Sequence, residues 1–317
     1  MAKKSLVQRT FDDKDTPELF TIPGRWARYE LQTALLDHLF QSRVRKAPSP
    51  HTTKRSFIEH TAFYDWHYEN GVVPGGIQLQ ITAPDTLGVT AESVLLAVMY
   101  LVKHHGSFLD PQDLATSDLP LLLKPAGIAA HNPIATLETT RYAVLKTAGL
   151  SNDRASYQRL HRILSDLGKI MLTYRNLVTG EEGNDLLFRW QLRTDTDRLL
   201  IQVNWRLAGA IFGSYLRAMI DLNERNALHS DPTKSLHRWL SAHLWPGKAE
   251  WILHSTLARH IWPIDEEISS HTANTNRVRL HRLKTRIIPE FKALPGWRIT
   301  DESTGILVHR LQRSDHA

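Results

Sequence analysis

The chain has 317 residues, 42% of them hydrophobic, a formal net charge of +6 and no cysteine. This length predicts two domains, and the hydrophobic content excludes a disordered polymer. The absence of cysteine excludes disulfides and thiolate chemistry and favours a reducing compartment. The N-terminal MAKKSLVQRT lacks the apolar core of a signal peptide, and the longest apolar run, residues 94–102, is too short to span a membrane. We therefore expect a cytoplasmic protein that does not enter a membrane.

Basic residues are concentrated towards the two ends of the sequence. Residues 1–55 and residues 271–317 each carry a net charge of +5, whereas residues 56–270 carry −4. This distribution favours a polyanionic partner. Two solvated basic surfaces would produce the same pattern, so the charge alone leaves both interpretations open.

Residues 1–55 are predicted to form an N-terminal arm, with a helix over residues 23–39 and a basic linker over residues 43–55. The linker either contacts phosphates or only adds solubility. A first domain is predicted over residues 56–230. It begins with two short strands around the turn-forming NGVVPGG, followed by a helix over residues 85–104. The next segment, 106–136, shows no clear period.

The middle of the first domain is predicted as two helices, 139–150 and 154–169, followed by a hairpin and a third strand that ends at residue 205. Residues 206–230 are predicted as a helical connector. The helical period places one polar stripe of the 154–169 helix on its outer face. This stripe either contacts DNA or forms a subunit interface. Its side chains are Arg154, Gln158, Arg159 and Arg162.

The second domain is predicted over residues 231–317. Helices over residues 235–245 and 251–262, the second with a short extended entry, precede an Arg-rich third helix, and a β-hairpin over residues 296–312 follows it. Both domains thus show two helices, a third helix and a hairpin. The predicted fold class is α+β and mainly helical, with two tandem winged-helix domains that carry β-hairpin wings.

The Arg-rich helix, residues 271–292, has six Lys or Arg residues and one acid. At helical spacing, Leu280, Leu283, Ile287 and Phe291 form an apolar stripe that can pack on the domain. The basic stripe then faces outwards, where it can enter the major groove of DNA or remain a solvated surface. Arginine side chains suit base contacts, whereas lysine side chains suit phosphates. The candidate contacts are Asn274, Asn276, Arg277, Arg279, Arg282, Lys284 and Arg286.

No catalytic motif is visible in the sequence. The pair Gly247-Lys248 is followed by Ala249 and lacks the upstream glycine of a P-loop. The 17 histidines include no HExxH or HxH pair, which disfavours a metal site. We therefore expect no enzymatic activity, no metal and no cofactor.

Two stretches resemble the RepC-type replication initiators of IncQ-family broad-host-range plasmids. One contains WLSAHLWPGKAEWILHSTLARHIWP followed by RVRLHRLKTRIIPEFKALPGWRIT, and the other contains YAVLKTAGL and ASYQRLHRILSDLGKIMLTYRN. The resemblance covers roughly residues 60–302, and it assigns nothing to the N-terminal arm. It implies tandem winged helices, binding of direct repeats (iterons) in double-stranded origin DNA, and melting of an adjacent AT-rich stretch. It also implies that a plasmid-encoded helicase and primase act next. The hairpin residues that it adds as candidate DNA contacts are Arg298, His309 and Arg310.

Three alternatives stay open at this point. A winged-helix transcriptional regulator would use the same helix but bind a palindrome as a symmetric dimer, and a homodimer is also compatible with an initiator. An enzyme acting on DNA is disfavoured by the missing motifs. A protein–protein adaptor would not require the basic helix for strong, salt-dependent DNA binding.

Overall fold

The computed structural model describes residues 40–41, 58–68, 71–83, 87–109, 122–123, 134–193, 196–212, 220–262 and 272–312. The chain divides into two compact units, with the main boundary between residues 217 and 218. The predicted helix over residues 23–39 and the basic linker 43–55 lie outside the described residues. Within the described parts, no helix is long and apolar enough to cross a membrane.

The elements up to residue 212 are, in chain order, β1 (Phe40–Gln41), β2 (Ile58–Tyr68), β3 (Gly71–Ala83), β4 (Leu87–Gly88), α1 (Val89–His105), β5 (Ser107–Leu109), β6 (Ile134–Thr140), α2 (Arg141–Thr147), α3 (Arg154–Leu167), β7 (Met171–Asn176), β8 (Glu182–Leu186), β9 (Phe188–Arg193), β10 (Arg198–Val203) and α4 (Trp205–Phe212). The later elements are α5 (Leu222–Ala227), α6 (Asp231–His243), β11 (Ala249–Leu253), α7 (His254–Ile261), α8 (Thr272–Arg282), a π-helical turn (Leu283–Ile287), α9 (Ile288–Lys292), β12 (Trp297–Asp301) and β13 (Gly305–Arg310).

The first unit contains two four-stranded antiparallel sheets in its described residues, with strand orders β2-β3-β7-β8 and β5-β6-β10-β9. In the first of these sheets, alternate residues such as Leu79, Ile81 and Leu172 are buried, because side chains alternate between the two faces of a strand. A short parallel pair, β1 with β4, belongs to the second unit.

Helix α3 begins where Asp153 accepts a hydrogen bond from the Ser156 amide at 2.7 Å, which is an N-cap. Its buried residues recur at helical spacing. They include Leu160, Ile163, Leu164 and Leu167, as the sequence period predicted. The opposite side of this helix therefore faces solvent.

The prediction of a mainly helical fold made of two tandem winged-helix domains is wrong. The described residues hold three antiparallel sheets, two of which have four strands. Strands β2 and β3 were predicted to be short but have 11 and 13 residues. Strand β6 begins within the segment 106–136, which showed no clear period. This strand was not predicted because its first four residues are all buried and therefore show no alternation of apolar and polar residues.

The second unit has one three-stranded antiparallel sheet in its described residues, with strand order β11-β13-β12. One hydrophobic cluster joins α6, α7 and the helical run 283–291 to the inner face of this sheet. Its members include Trp239, Leu240, Ile252, Leu257, Ile261, Leu283, Ile287, Phe291, Ile306 and Val308. The predicted order of two helices, an Arg-rich helix and a hairpin is present, and β11 corresponds to the short extended entry predicted before the second helix.

Candidate nucleic-acid interface

The Arg-rich segment forms one continuous run of helical backbone, residues 272–292, which we call the basic helix. Its predicted apolar stripe is confirmed, since Leu283, Ile287 and Phe291 are buried and Leu280 is partly buried. A fully buried side chain of this size contributes about 1.5–3 kcal/mol. The apolar side therefore fixes the helix on the second unit, and the direction of its polar side follows from that packing.

A π-helical turn, Leu283–Ile287, interrupts the basic helix. Pro289 supplies the physical cause, because it has no N–H and its ring clashes with the carbonyl four residues earlier in a regular α-helix. In the π turn, the amide of Ile288 donates to the carbonyl of Leu283, five residues back. The wider turn changes the phase between the side chains before and after it. Such turns are frequent at functional sites.

The solvent-facing side of the basic helix carries several exposed polar side chains, five of which we call the basic surface. They are Asn276, Arg277, Arg282, Lys284 and Arg286. The side chain of Arg279 is half-buried, and that of Asn274 lies outside the described residues. No acid occurs between residues 276 and 289, so the exposed side of this segment is cationic. A helix with such a side has the width and charge that the DNA major groove accepts.

Lys284 connects the basic surface to the turn between β12 and β13. Its Nζ donates a hydrogen bond to the carbonyl of Ser303 at 3.0 Å. A lysine ammonium has three N–H donors, so this contact leaves two for a phosphate. The contact also restrains a long side chain and lowers the entropy lost on binding.

The one acid of the basic helix, Glu290, is directed at the N-terminus of α6. It accepts hydrogen bonds from the amides of His229 (2.5 Å) and Ser230 (3.2 Å) and from the hydroxyls of Ser230 (3.1 Å) and Thr233 (2.6 Å). Partial burial raises the pKa of this carboxyl, but the hydrogen bonds outweigh burial and hold the pKa below its ordinary value. Glu290 is thus a structural carboxylate, and it does not neutralise the basic surface.

The hairpin residues predicted to contact DNA differ in their accessibility. Arg298 is exposed and His309 half-exposed, and they are cross-strand partners on the outer face of the sheet. Arg310 is buried, and its Nη1 donates to the carbonyls of Ser241 and Leu244, both at 2.8 Å. The prediction that Arg310 contacts DNA is therefore withdrawn, because this guanidinium is used inside the unit.

In the first unit, α3 presents the side chains that the sequence placed outside. Arg154, Gln158, Arg159 and Arg162 are all exposed. They form a second candidate surface with three cations. The ring of His161 on the same helix packs edge-on against Trp190 of β9, with centroids 5.0 Å apart, so α3 is anchored on the neighbouring sheet.

Two features of the interface were not predicted from the sequence. The π turn has a local signal, Pro289, although proline alone is also compatible with a kink or a helix end. The exposure of the Trp251 indole on β11 had no signal, because tryptophan is usually highly buried.

Comparisons with known proteins place the chain in a family. Residues 61–308 match the model of Replication protein C (RepC). Two crystal structures of RctB domains 2 and 3 align with it. One has 10% identity and a TM-score of 0.46 and covers 90% of this chain and 99% of that chain. The other has 11% identity and a TM-score of 0.43 and covers 88% and 96%. No curated protein matches the chain at a significant level. Because the RepC model spans most of the sequence, the chain belongs to the Replication protein C (RepC) family of replication initiators.

Proposed function

We propose that this replication protein binds directly repeated DNA sites (iterons) at a plasmid origin and promotes local melting of the adjacent duplex. A separately encoded helicase and primase then load on the melted region. The protein acts by binding and has no catalytic step of its own, so purified protein is expected neither to nick DNA nor to synthesise primers.

The basic surface is the observation that carries this proposal. Arg282 is exposed immediately before the π turn and Arg286 is exposed within it, and an arginine fork can donate two hydrogen bonds to guanine O6 and N7. Lys284 adds an ammonium for a phosphate. Because the buried stripe fixes the helix, these groups are held in position before DNA binds, and the binding reaction loses less side-chain entropy.

The exposed cations of α3 support a second contact made by the same chain. One protein with two DNA-contacting helices covers a longer site than one helix does, and it needs no symmetric partner to do so. This favours direct repeats over a palindrome, since a palindrome matches the two-fold symmetry of a homodimer.

DNase I footprinting of the full chain on the origin of its own replicon tests the proposal. The expected result is a row of equally spaced protected sites in the same orientation. Distortion next to that row, detected as permanganate-reactive thymines, is expected to accompany binding. A single palindromic footprint would contradict the proposal and indicate a transcriptional regulator.

A further inference from the structure

The outer face of the β11-β13-β12 sheet carries three large exposed apolar side chains. Trp251, Leu253 and Leu307 are 41%, 48% and 41% exposed. Trp251 lies directly opposite Leu307 in the strand pairing. The inner face of the same strands contributes Ile252, Ile306 and Val308 to the core, so the three apolar residues are not needed to hold the unit together.

The indole of Trp251 lies over the backbone of Gly305. A Cβ placed on this glycine would be 2.9 Å from Cζ2 and 3.1 Å from Cε2 of the indole, and 2.6 Å from the carbonyl oxygen of Ile252. One side of the indole is therefore packed on glycine, where no larger residue fits. The side chain is nevertheless 41% exposed, so part of the indole is accessible to solvent. An aromatic ring held in this way is a stacking surface for a nucleic-acid base.

The remaining outer positions of the sheet are neutral or basic. Arg298 pairs with His309 beside Trp251, and Thr300 pairs with Leu307. None of the outward-facing positions on these three described strands is acidic. An aromatic ring next to an arginine matches the two components of single strands, which are bases with π faces and charged phosphates.

We propose that this outer face binds single-stranded DNA, with a base stacked on Trp251 and phosphates beside Arg298 and His309. A protein partner would favour a tryptophan that projects into a pocket, whereas this indole covers the backbone of Gly305. The inference deepens the proposed function and rests on it in one respect, since local melting supplies the single strand. The basic helix packs on the inner face of the sheet, so the two DNA contacts lie on opposite sides of it.

The test measures binding of the full chain to a fluorescein-labelled oligothymidylate of about 20 nucleotides and, separately, to the duplex repeat, both by fluorescence anisotropy. Trp251→Ala is expected to weaken single-strand binding about tenfold. Trp251→Phe keeps most of the affinity, because phenylalanine retains a π face. Trp245 is 44% exposed and lies outside the three strands, so Trp245→Ala is the matched control and is expected to have no effect.

A second variant tests the phosphate contact. Arg298→Ala is expected to reduce the slope of log affinity against log salt by about 0.7 for the single strand while leaving the slope for the duplex unchanged. Thermal unfolding followed by circular dichroism verifies that each variant is folded. If Trp251→Ala is unfolded, Arg298→Ala still decides whether this face contacts the single strand.

Several results would overturn the inference. The inference is wrong if the wild-type protein does not bind the oligothymidylate, or if Trp251→Ala and Trp245→Ala bind it with equal affinity. Loss of self-association in Trp251→Ala with unchanged single-strand binding would assign this face to a protein contact instead. Failure of the proposed function is distinguishable, because it would remove the repeat footprint while Trp251-dependent binding of the single strand persisted.

Discussion

The contact between Glu290 and the start of α6 predicts a large loss of stability on substitution. Glu290→Ala removes four hydrogen bonds, of which two come from backbone amides at the helix N-terminus. A lost N-cap costs about 1 kcal/mol, and a hydrogen bond to a charged group contributes about 1.5–3 kcal/mol. Water replaces part of this at a half-buried position, so we expect a loss of about 2 kcal/mol in the free energy of unfolding.

Urea unfolding at neutral pH, followed by circular dichroism, measures this loss. Glu290→Gln is the matched variant, because its side-chain oxygen still accepts from the amides but carries no charge, and about half of the loss is expected. Folding lowers the pKa of this carboxyl below the ordinary value of 4.5. The stability that the ionised group contributes is therefore complete above that value and is lost as pH falls through the folded-state pKa. Below pH 4.5, the stability of Glu290→Gln should fall less steeply than that of the wild type. A Glu290→Ala variant as stable as the wild type would refute this reasoning.

Three further predictions concern other side chains. Lys284→Ala should lower the salt slope for duplex binding by about one unit while specificity is kept; an unchanged slope would remove Lys284 from the contacts. Arg310→Ala leaves two buried carbonyls without their donor, so the free energy of unfolding should fall by about 2–4 kcal/mol, as measured by urea unfolding. The protein that remains folded should bind DNA normally, as measured by titrating duplex DNA with the variant. Burial raises the pKa of Asp185 to about 7, so the folded state retains a proton and stability should fall as pH rises from about 4 to 7. Asp185→Asn should abolish that decline, and an unchanged pH profile would contradict the assignment.

The basic helix could be predicted from the sequence because its information is local. Four apolar residues at helical spacing and a run of cations without an acid are both visible within 22 residues. The same holds for α3, where Asp153 and the apolar period define the start and the buried side. In both helices, packing against the rest of the unit follows the local period.

The remaining features depend on contacts between distant parts of the chain. Glu290 contacts residues about 60 positions away, and the carbonyls that bind Arg310 are 66 and 69 positions away. A single sequence does not reveal such pairs, and the resemblance that made Arg310 a candidate DNA contact gave no sign that this side chain is buried. The sheets of the first unit were underestimated for a related reason. Strand β6 pairs with β10, more than 50 residues later, and its buried run carries no alternation.

The most direct test of the account compares one substitution on two duplexes. Arg282→Ala should weaken binding to the protected origin repeat by about 1–3 kcal/mol, which is roughly 5- to 150-fold, and weaken binding to random duplex much less. Arg193→Ala serves as the control, because it removes an exposed arginine of β9 outside the basic surface. It should affect both duplexes slightly and equally. Equal loss on repeat and random DNA for Arg282→Ala would contradict the account, because it would mean that the basic helix contacts phosphates only.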